Sequence, residues 1–198
     1  MSAAETSTPV VRAAVPEDVD ELIRLRALLL EDPASAAPYA AGTPEQSAAW
    51  RGRYRAWLAD RLGTAADVRV AVVPGPGRLR ACATAVVDQR APSPACPSGR
   101  AGWLQSVVTD PRDRGRGLGA AVLDDLARWL QGQGADEIVL QTTPTATEFY
   151  RHRGFRPTGE DLLFKPLPAP DAARPAGAPA PAPLDARPAR HAREESPV

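Results

Sequence analysis

One strand–helix–strand unit constrains the fold of this chain more than any other part of its sequence. An apolar strand over residues 103–109 runs into a polar turn, and an amphipathic helix follows over residues 118–131. Gly132 and Gly134 end that helix, and a second apolar strand covers residues 138–142. Two strands joined through a helix predict one internal parallel crossover, because parallel strands need a long connection.

Strand and helix patterns also alternate along the rest of residues 10–165. The predicted elements are a strand at 10–13, a helix beginning at Pro16, a second helix carrying Trp50, Tyr54, Trp57, Leu58 and Leu62 on one side, strands at 68–73 and 79–88, a short helix ending near Arg153, and a closing strand pair around 155–156 and 162–164. We expect the aromatic side chains of the second helix to lie in the core. This order predicts an α/β or α+β domain.

The last segment of the chain differs in composition from what precedes it. From residue 166 onward, prolines alternate with alanine, arginine and acidic residues, and large apolar side chains nearly vanish. Such a segment buries too little surface to offset its ordering entropy. We predict a flexible N-terminus at 1–9, one folded domain at 10–166 and a disordered Pro/Ala-rich tail at 167–198. A docking role for the proline-rich tail is the alternative.

The charge balance and the cysteines argue against several classes of function. The 24 basic and 24 acidic residues give a net charge of zero, so no overall attraction to nucleic acid or to an anionic membrane is expected. No apolar run approaches the roughly 18 residues of a membrane span, and the N-terminus lacks a secretory pattern. Cys82 and Cys96 fit no metal spacing and no disulfide framework. We predict a cytoplasmic protein without metal, nucleic-acid or membrane partners; a homodimer stays open.

The glycine-rich turn before the long helix has the chemistry of an anion site. It consists of Arg114-Gly115-Arg116-Gly117-Leu118-Gly119. Glycines let a ligand approach the backbone closely, and the first amides of a helix have no partner within the helix. The helix dipole adds positive potential at the same point. The turn therefore predicts a binding site for a phosphorylated ligand.

Two nucleotide-binding patterns compete for this turn. A Walker loop needs a lysine directly after its glycines, and the only lysine of the chain is Lys165. A dinucleotide fingerprint needs its first glycine directly after the strand and an acid at the end of the next strand. Here residues 110–114 intervene, and residues 141–143, which contain no acid, end the second strand. Both patterns therefore disagree with the sequence around the turn.

A second motif lies downstream and completes a different pattern. The first segment is Val107-Val108-Thr109-Asp110-Pro111-x-x-Arg114-Gly115-x-Gly117-x-Gly119, and the second is Phe149-Tyr150-Arg151-His152-Arg153-Gly154-Phe155. In this order they resemble the Gcn5-related N-acetyltransferase (GNAT) superfamily, with its Arg/Gln-x-x-Gly-x-Gly/Ala and Phe-Tyr-x-x-x-Gly-Phe motifs. The resemblance covers residues 10–165. It implies a mixed, mostly antiparallel sheet of six to seven strands with helices on both faces, and acetyl-CoA as the cosubstrate.

The resemblance also implies where the coenzyme binds. A bulge near Val107 and Val108 would splay this strand from the strand at 138–140, and the pantetheine arm would lie between them. The amide of Val108 would polarise the thioester carbonyl, and the turn would hold the pyrophosphate. The implied coenzyme contacts are Val107, Val108, Thr109, Arg114, Gly115, Arg116, Gly117, Leu118, Gly119, Thr143 and Tyr150. Thr143 is followed by Pro144 where many members have an asparagine.

Tyr150 is the candidate general acid. Attack by an amine expels a thiolate, and a phenol held near the sulfur can donate a proton to it. The position of Tyr150 in the second motif supports this role. The alternative is that Tyr150 only packs beside Phe149 and Phe155.

Neither a general base nor an acceptor is identified. Residues 103–106 carry no carboxylate, and Glu31, Asp32 and Asp88 are typical of solvated loop acids. We predict direct acetyl transfer from acetyl-CoA to a primary amine, on a small molecule, in a ternary complex. The alternatives are a protein N-acetyltransferase and a non-catalytic acyl-CoA sensor.

Overall fold

A computed structural model describes residues 9–31, 40–163, 165 and 167. The chain divides into two units, Met1–Arg156 and Pro157–Val198. All helices and strands of the described residues lie in the first unit. The predicted flexible N-terminus lies outside the described residues except for residue 9, and the predicted tail does so except for residue 167. Asp32 also lies outside them.

The first unit is built around a mixed sheet, which has five strands in the described residues, in the order β1-β2-β3-β4-β5. The strands are β1 (Arg12–Ala13), β2 (Val68–Gly75), β3 (Arg78–Gln89), β4 (Arg100–Thr109) and β5 (Glu137–Leu140). β1 to β4 pair antiparallel, whereas β4 and β5 pair parallel. The predicted parallel crossover and the mostly antiparallel α/β fold are therefore confirmed.

Four α-helices accompany the sheet in the described part of the chain. They are α1 (Val19–Leu30), α2 (Pro44–Arg61), α3 (Leu118–Gly132) and α4 (Thr147–Arg151). A short 3-10 turn that begins with proline precedes α1, α3 and α4, because the fixed φ and missing N–H of proline suit a first helical position. None of the described helices combines the length and the hydropathy that a membrane span requires.

Helices cover both faces of the sheet, as predicted. On one face, α3 and α4 pack against alternate residues of β3 and β4. That cluster includes Ala81, Ala83, Leu104, Val122, Leu126, Leu130 and Tyr150. On the other face, α1 and α2 pack against the intervening residues. That cluster includes Leu22, Leu25, Tyr54, Leu58, Val72, Cys82 and Val108. Tyr150 and Val108 therefore belong to the cores of opposite faces.

The predicted closing strand pair is wrong within the described residues. Residues 155–163 contain no strand, so the described sheet has five strands instead of six to seven. Pro157 has no N–H to donate to a ladder, and Gly159 has a φ of +81°, which suits a turn. β5 also ends at Leu140, two residues before the predicted end, and β4 begins at Arg100 because it pairs with Gln89 of β3 from its first residue.

Candidate active site

β4 carries a bulge in the middle of the predicted site. Ala83 of β3 faces two residues of β4, Ser106 and Val107. Ser106 has a φ of +51° and is the one non-glycine residue with positive φ in the described part of the chain. An extra residue disrupts the ladder locally and turns the backbone. The bulge implied near Val107 and Val108 is confirmed, and it centres on Ser106 and Val107.

Beyond the bulge, β4 has an open edge on the side of β5. Parallel pairing ends where Leu104 meets Leu140, which is also the end of β5. β4 continues to Thr109, and no strand of the described residues pairs with residues 105–109 on that side. Backbone N–H and C=O groups along such an edge can bind an extended ligand as an added strand.

The glycine-rich turn after β4 adopts a conformation that favours glycine. Gly115 and Gly117 both have a φ of +74°, and nothing lies within 4 Å of the Cβ position of either residue. Gly117 caps α3, and its carbonyl accepts from the amide of Ala121 at 3.0 Å. Helix geometry leaves the preceding amides, those of residues 118–120, without an intrahelical acceptor. The turn therefore presents backbone donors to open space, as an anion site requires.

A buried ion-pair network holds this turn in place. Asp110, which is 1% exposed, accepts hydrogen bonds from Arg112 Nε at 3.0 Å and from Arg24 Nη1 at 2.9 Å. The hydrogen bonds from Arg112 outweigh the burial and hold the pKa of Asp110 well below its usual range. Asp113, which is 3% exposed, pairs with two arginines of β3 at 2.7 and 3.0 Å. The network ties the turn to α1 and to β3.

Tyr150 lies in α4, on the α3 side of the sheet. Its ring meets the ring of Phe149 at 5.1 Å and the ring of Phe155 at 5.6 Å between centroids, both edge-on. Phe149 in turn lies 3.4 Å from the Cβ position of Gly119, so α4 contacts the first turn of α3. Tyr150 is thus packed between two aromatic rings and also belongs to the helix next to the glycine-rich turn. This geometry suits both sequence interpretations of the residue.

A polar group on the other face of the bulge was missed by the sequence analysis. Arg26 of α1 donates a hydrogen bond from Nη1 to Oγ of Ser106, and its guanidinium carbon lies 4.6 Å from the centre of the Tyr54 ring. Tyr54 is buried, as predicted, and also interacts with Thr84 through its hydroxyl; burial raises the pKa of Tyr54 to about 12. From helical periodicity alone, Arg26 is indistinguishable from other polar residues of α1. Its contact with Ser106 of β4 is the only signal that places it near the bulge.

A cavity of about 580 Å³ lies between α1, α2 and the turn after β4. Its lining residues are Asp20, Ile23, Arg24, Ala27, Leu28, Glu31, Arg51, Arg55, Pro111 and Arg114. The two arginines of the turn differ in their surroundings. Arg114 faces this cavity, whereas Arg116 lies 3.6 Å from Asp113.

The remaining candidates are not gathered at the bulge. Glu31 accepts a hydrogen bond from Arg51 at 2.9 Å, which chiefly lowers the pKa of that carboxyl group, and Asp88 accepts one from Arg90 at 2.8 Å. A carboxylate whose charged form is stabilised in this way, as that of Glu31 is, is a poor proton acceptor. Thr143 hydrogen-bonds to a second threonine at 3.0 Å, before α4. The described residues hold no group of three or more His, Cys, Asp or Glu side chains placed to bind a metal.

Comparison with a family profile shows to which protein family the chain belongs. The profile of the acetyltransferase (GNAT) family matches residues 28–155. The chain belongs to the acetyltransferase (GNAT) family. Both motifs on which the resemblance was based lie inside the matched range, so that resemblance is confirmed.

An individual relative agrees with this assignment. Glucosamine 6-phosphate N-acetyltransferase 1 of Oryza sativa subsp. japonica is 38% identical over 112 residues, which cover 57% of this chain and 65% of the rice protein. The chain thus spans slightly less than two thirds of that relative's length.

Solved GNAT structures show the same fold. A GCN5-related N-acetyltransferase from Ralstonia eutropha JMP134 is 23% identical with a TM-score of 0.67, over 81% of this chain and 99% of that one. A predicted acetyltransferase from Clostridium acetobutylicum, solved with acetyl-CoA, is 19% identical with a TM-score of 0.66, over 80% and 96%. At these identities the similarity supports the fold alone.

Proposed function

We propose that this GNAT protein transfers the acetyl group of acetyl-CoA to a primary amine on a small molecule. The transfer would occur by direct attack while both substrates are bound. The observation that carries the proposal is the sequence of features along β4: a bulge, an open strand edge and then a glycine-rich turn that presents backbone amides. Family membership supports the same activity.

These features fit the two chemically different parts of the coenzyme. The open edge at residues 105–109 offers backbone donors and acceptors to the amide groups of an extended pantetheine arm. The turn offers the amides of residues 118–120, and Arg114 adds a guanidinium, to the pyrophosphate. A Cβ at Gly115 or Gly117 would project into the open space beside this turn. When bound, the coenzyme supplies an activated acetyl thioester.

The reaction centre would then lie at the bulge. We assign to the amide of Val108 a hydrogen bond to the thioester oxygen, where negative charge develops during attack; donors of this kind contribute roughly 3–4 kcal/mol. We assign to the hydroxyl of Tyr150 the proton that the sulfur takes up. A C–N bond forms as the C–S bond breaks, the thiolate receives the Tyr150 proton, and the nitrogen loses its proton to water. The Tyr150 phenolate then regains a proton from solvent. Val107 and Thr109 would line the edge on either side of Val108.

The acceptor is assigned by class. The rice relative is named for glucosamine 6-phosphate, a small amine. A small-molecule amine is therefore the acceptor that we propose, and glucosamine 6-phosphate is the first compound to test.

Replacing Tyr150 with phenylalanine tests the assigned chemistry. Y150F removes the proton donor and keeps the ring, so we expect kcat to fall about 100-fold or more with a saturating acceptor. The Kd for acetyl-CoA should stay unchanged. F155L is the matched control, since it loosens the packing of Tyr150 but leaves the hydroxyl group; it should lower stability more than kcat. An unchanged kcat in Y150F would show that Tyr150 only packs.

A further inference from the structure

Arg26 differs from the arginines around it in having no carboxylate partner in the described part of the chain. Arg24, two residues earlier on α1, pairs with Glu21 and Asp110 at 2.9 Å each. The contacts of Arg26 are instead neutral: the hydroxyl group of Ser106 and the ring and hydroxyl of Tyr54. Partly buried charges in proteins are normally paired, because removing a charge from water is costly.

The position of Arg26 connects its charge with the reaction centre. Ser106, its hydrogen-bond partner, belongs to the bulge and precedes Val107 and Val108. Val108 and Tyr54 are in the same apolar cluster, on the α1 and α2 face. Tyr150, the assigned proton donor, is in the cluster of the opposite face. Arg26 therefore lies beside the bulge, on the face of the sheet opposite Tyr150, the residue assigned to protonate the leaving thiolate.

We propose that Arg26 selects the acceptor by pairing with a carboxylate or phosphate group that the acceptor carries near its amine. The inference rests on the proposed acetyl transfer and adds the class of acceptor to it. A guanidinium offers several donors in one plane, which suit the two oxygens of either group. The cation–π contact with Tyr54 and the hydrogen bond to Ser106 hold that plane in place.

Paired acceptors that differ only in the anionic group test this role. One pair is L-alanine and L-alaninamide, and the other is glucosamine 6-phosphate and glucosamine. For each pair, kcat/KM is measured with the wild type, R26Q and R26K. The two amines of a pair differ in basicity, but this difference is the same for every protein. It therefore cancels when the preference of a variant is compared with that of the wild type.

We expect the wild type to prefer the anionic member of at least one pair by about 10- to 100-fold, the range of a charged hydrogen bond. R26Q should lose that preference through a raised KM for the anionic amine, while the neutral amine reacts as before. R26K should recover part of the preference. The pair that responds identifies carboxylate or phosphate as the group. R53Q, which changes an exposed arginine of α2, should behave as the wild type.

Other outcomes separate the failure of this inference from the failure of the proposed function. If none of the amines is acetylated, acetyl transfer is overturned and, with it, this role of Arg26. Turnover without an anion preference, or with a preference that persists in R26Q, would overturn the inference alone. An equal loss with both members of each pair would show that Arg26 only supports the bulge.

Discussion

The substitution Gly117→Ala tests whether the glycine-rich turn binds the coenzyme, because it should weaken CoA binding much more than it lowers the stability of the fold. Gly117 has a φ of +74°, so an alanine there must adopt the left-handed region, at a cost of about 1–2 kcal/mol. The smaller entropy of the unfolded chain returns about 0.4–1 kcal/mol. Because nothing lies within 4 Å of the Cβ position, no steric cost is added. We therefore expect the free energy of unfolding to fall by only about 1 kcal/mol.

Coenzyme binding should suffer more than stability. The new Cβ projects into the space beside the amides that begin α3, where a phosphate must approach to hydrogen-bond distance. Loss of one charged hydrogen bond costs about 1.5–3 kcal/mol, so the Kd for CoA should rise about 10- to 150-fold. Urea unfolding measures the first quantity, and isothermal titration with CoA measures the second.

Gly63→Ala is the matched control. Gly63 has a φ of +77° and also has nothing within 4 Å of its Cβ position, but it follows the C-terminus of α2. G63A should lose the same stability as G117A and bind CoA like the wild type. Equal CoA affinity in G117A and G63A would refute the assignment of this turn to the pyrophosphate.

Other predictions concern the core and the buried ionisable groups. Asp110→Asn should lower the free energy of unfolding by about 1.5–3 kcal/mol in urea titrations, because it removes the buried carboxylate that accepts charged hydrogen bonds from Arg24 and Arg112. Since Arg112 and Arg24 depress the pKa of Asp110, its stabilisation is complete above about pH 4 and is lost as the pH falls; melting temperatures of wild type and Asp110→Asn should converge in acid. Leu126→Ala, at a fully buried position, should cost about 2–5 kcal/mol by the same titration. Burial raises the pKa of Cys82 to about 12, so a thiol reagent should label it at neutral pH only after unfolding.

Local chemistry accounts for the parts of the fold and site that the sequence could predict. Gly115 and Gly117 have the positive φ that a glycine-rich turn suggests, and α3 begins at Leu118 as expected. Gly154, with a φ of +84°, follows the end of the short helix α4. In each case the deciding residues are neighbours in the chain, so propensity and spacing were sufficient.

Contacts between distant segments account for what the sequence could not predict. Ser106 stands within a strand pattern, and its positive φ follows from pairing with β3 instead of from any local signal. Arg26 contacts Ser106 from 80 residues away, and Arg24 contacts Asp110 from 86 residues away. The apolar residues Leu162 and Leu163 suggested a strand, yet neither has a ladder partner in the described residues.

Thiol release from acetyl-CoA tests the central claim most directly. The whole chain is incubated with acetyl-CoA and a panel of small primary amines that includes glucosamine 6-phosphate. Acetyl transfer predicts thiol release that depends on the amine and is matched, mole for mole, by N-acetylated product in mass spectrometry. Binding of acetyl-CoA without amine-dependent thiol release would contradict it and would leave a coenzyme-binding domain without transferase activity.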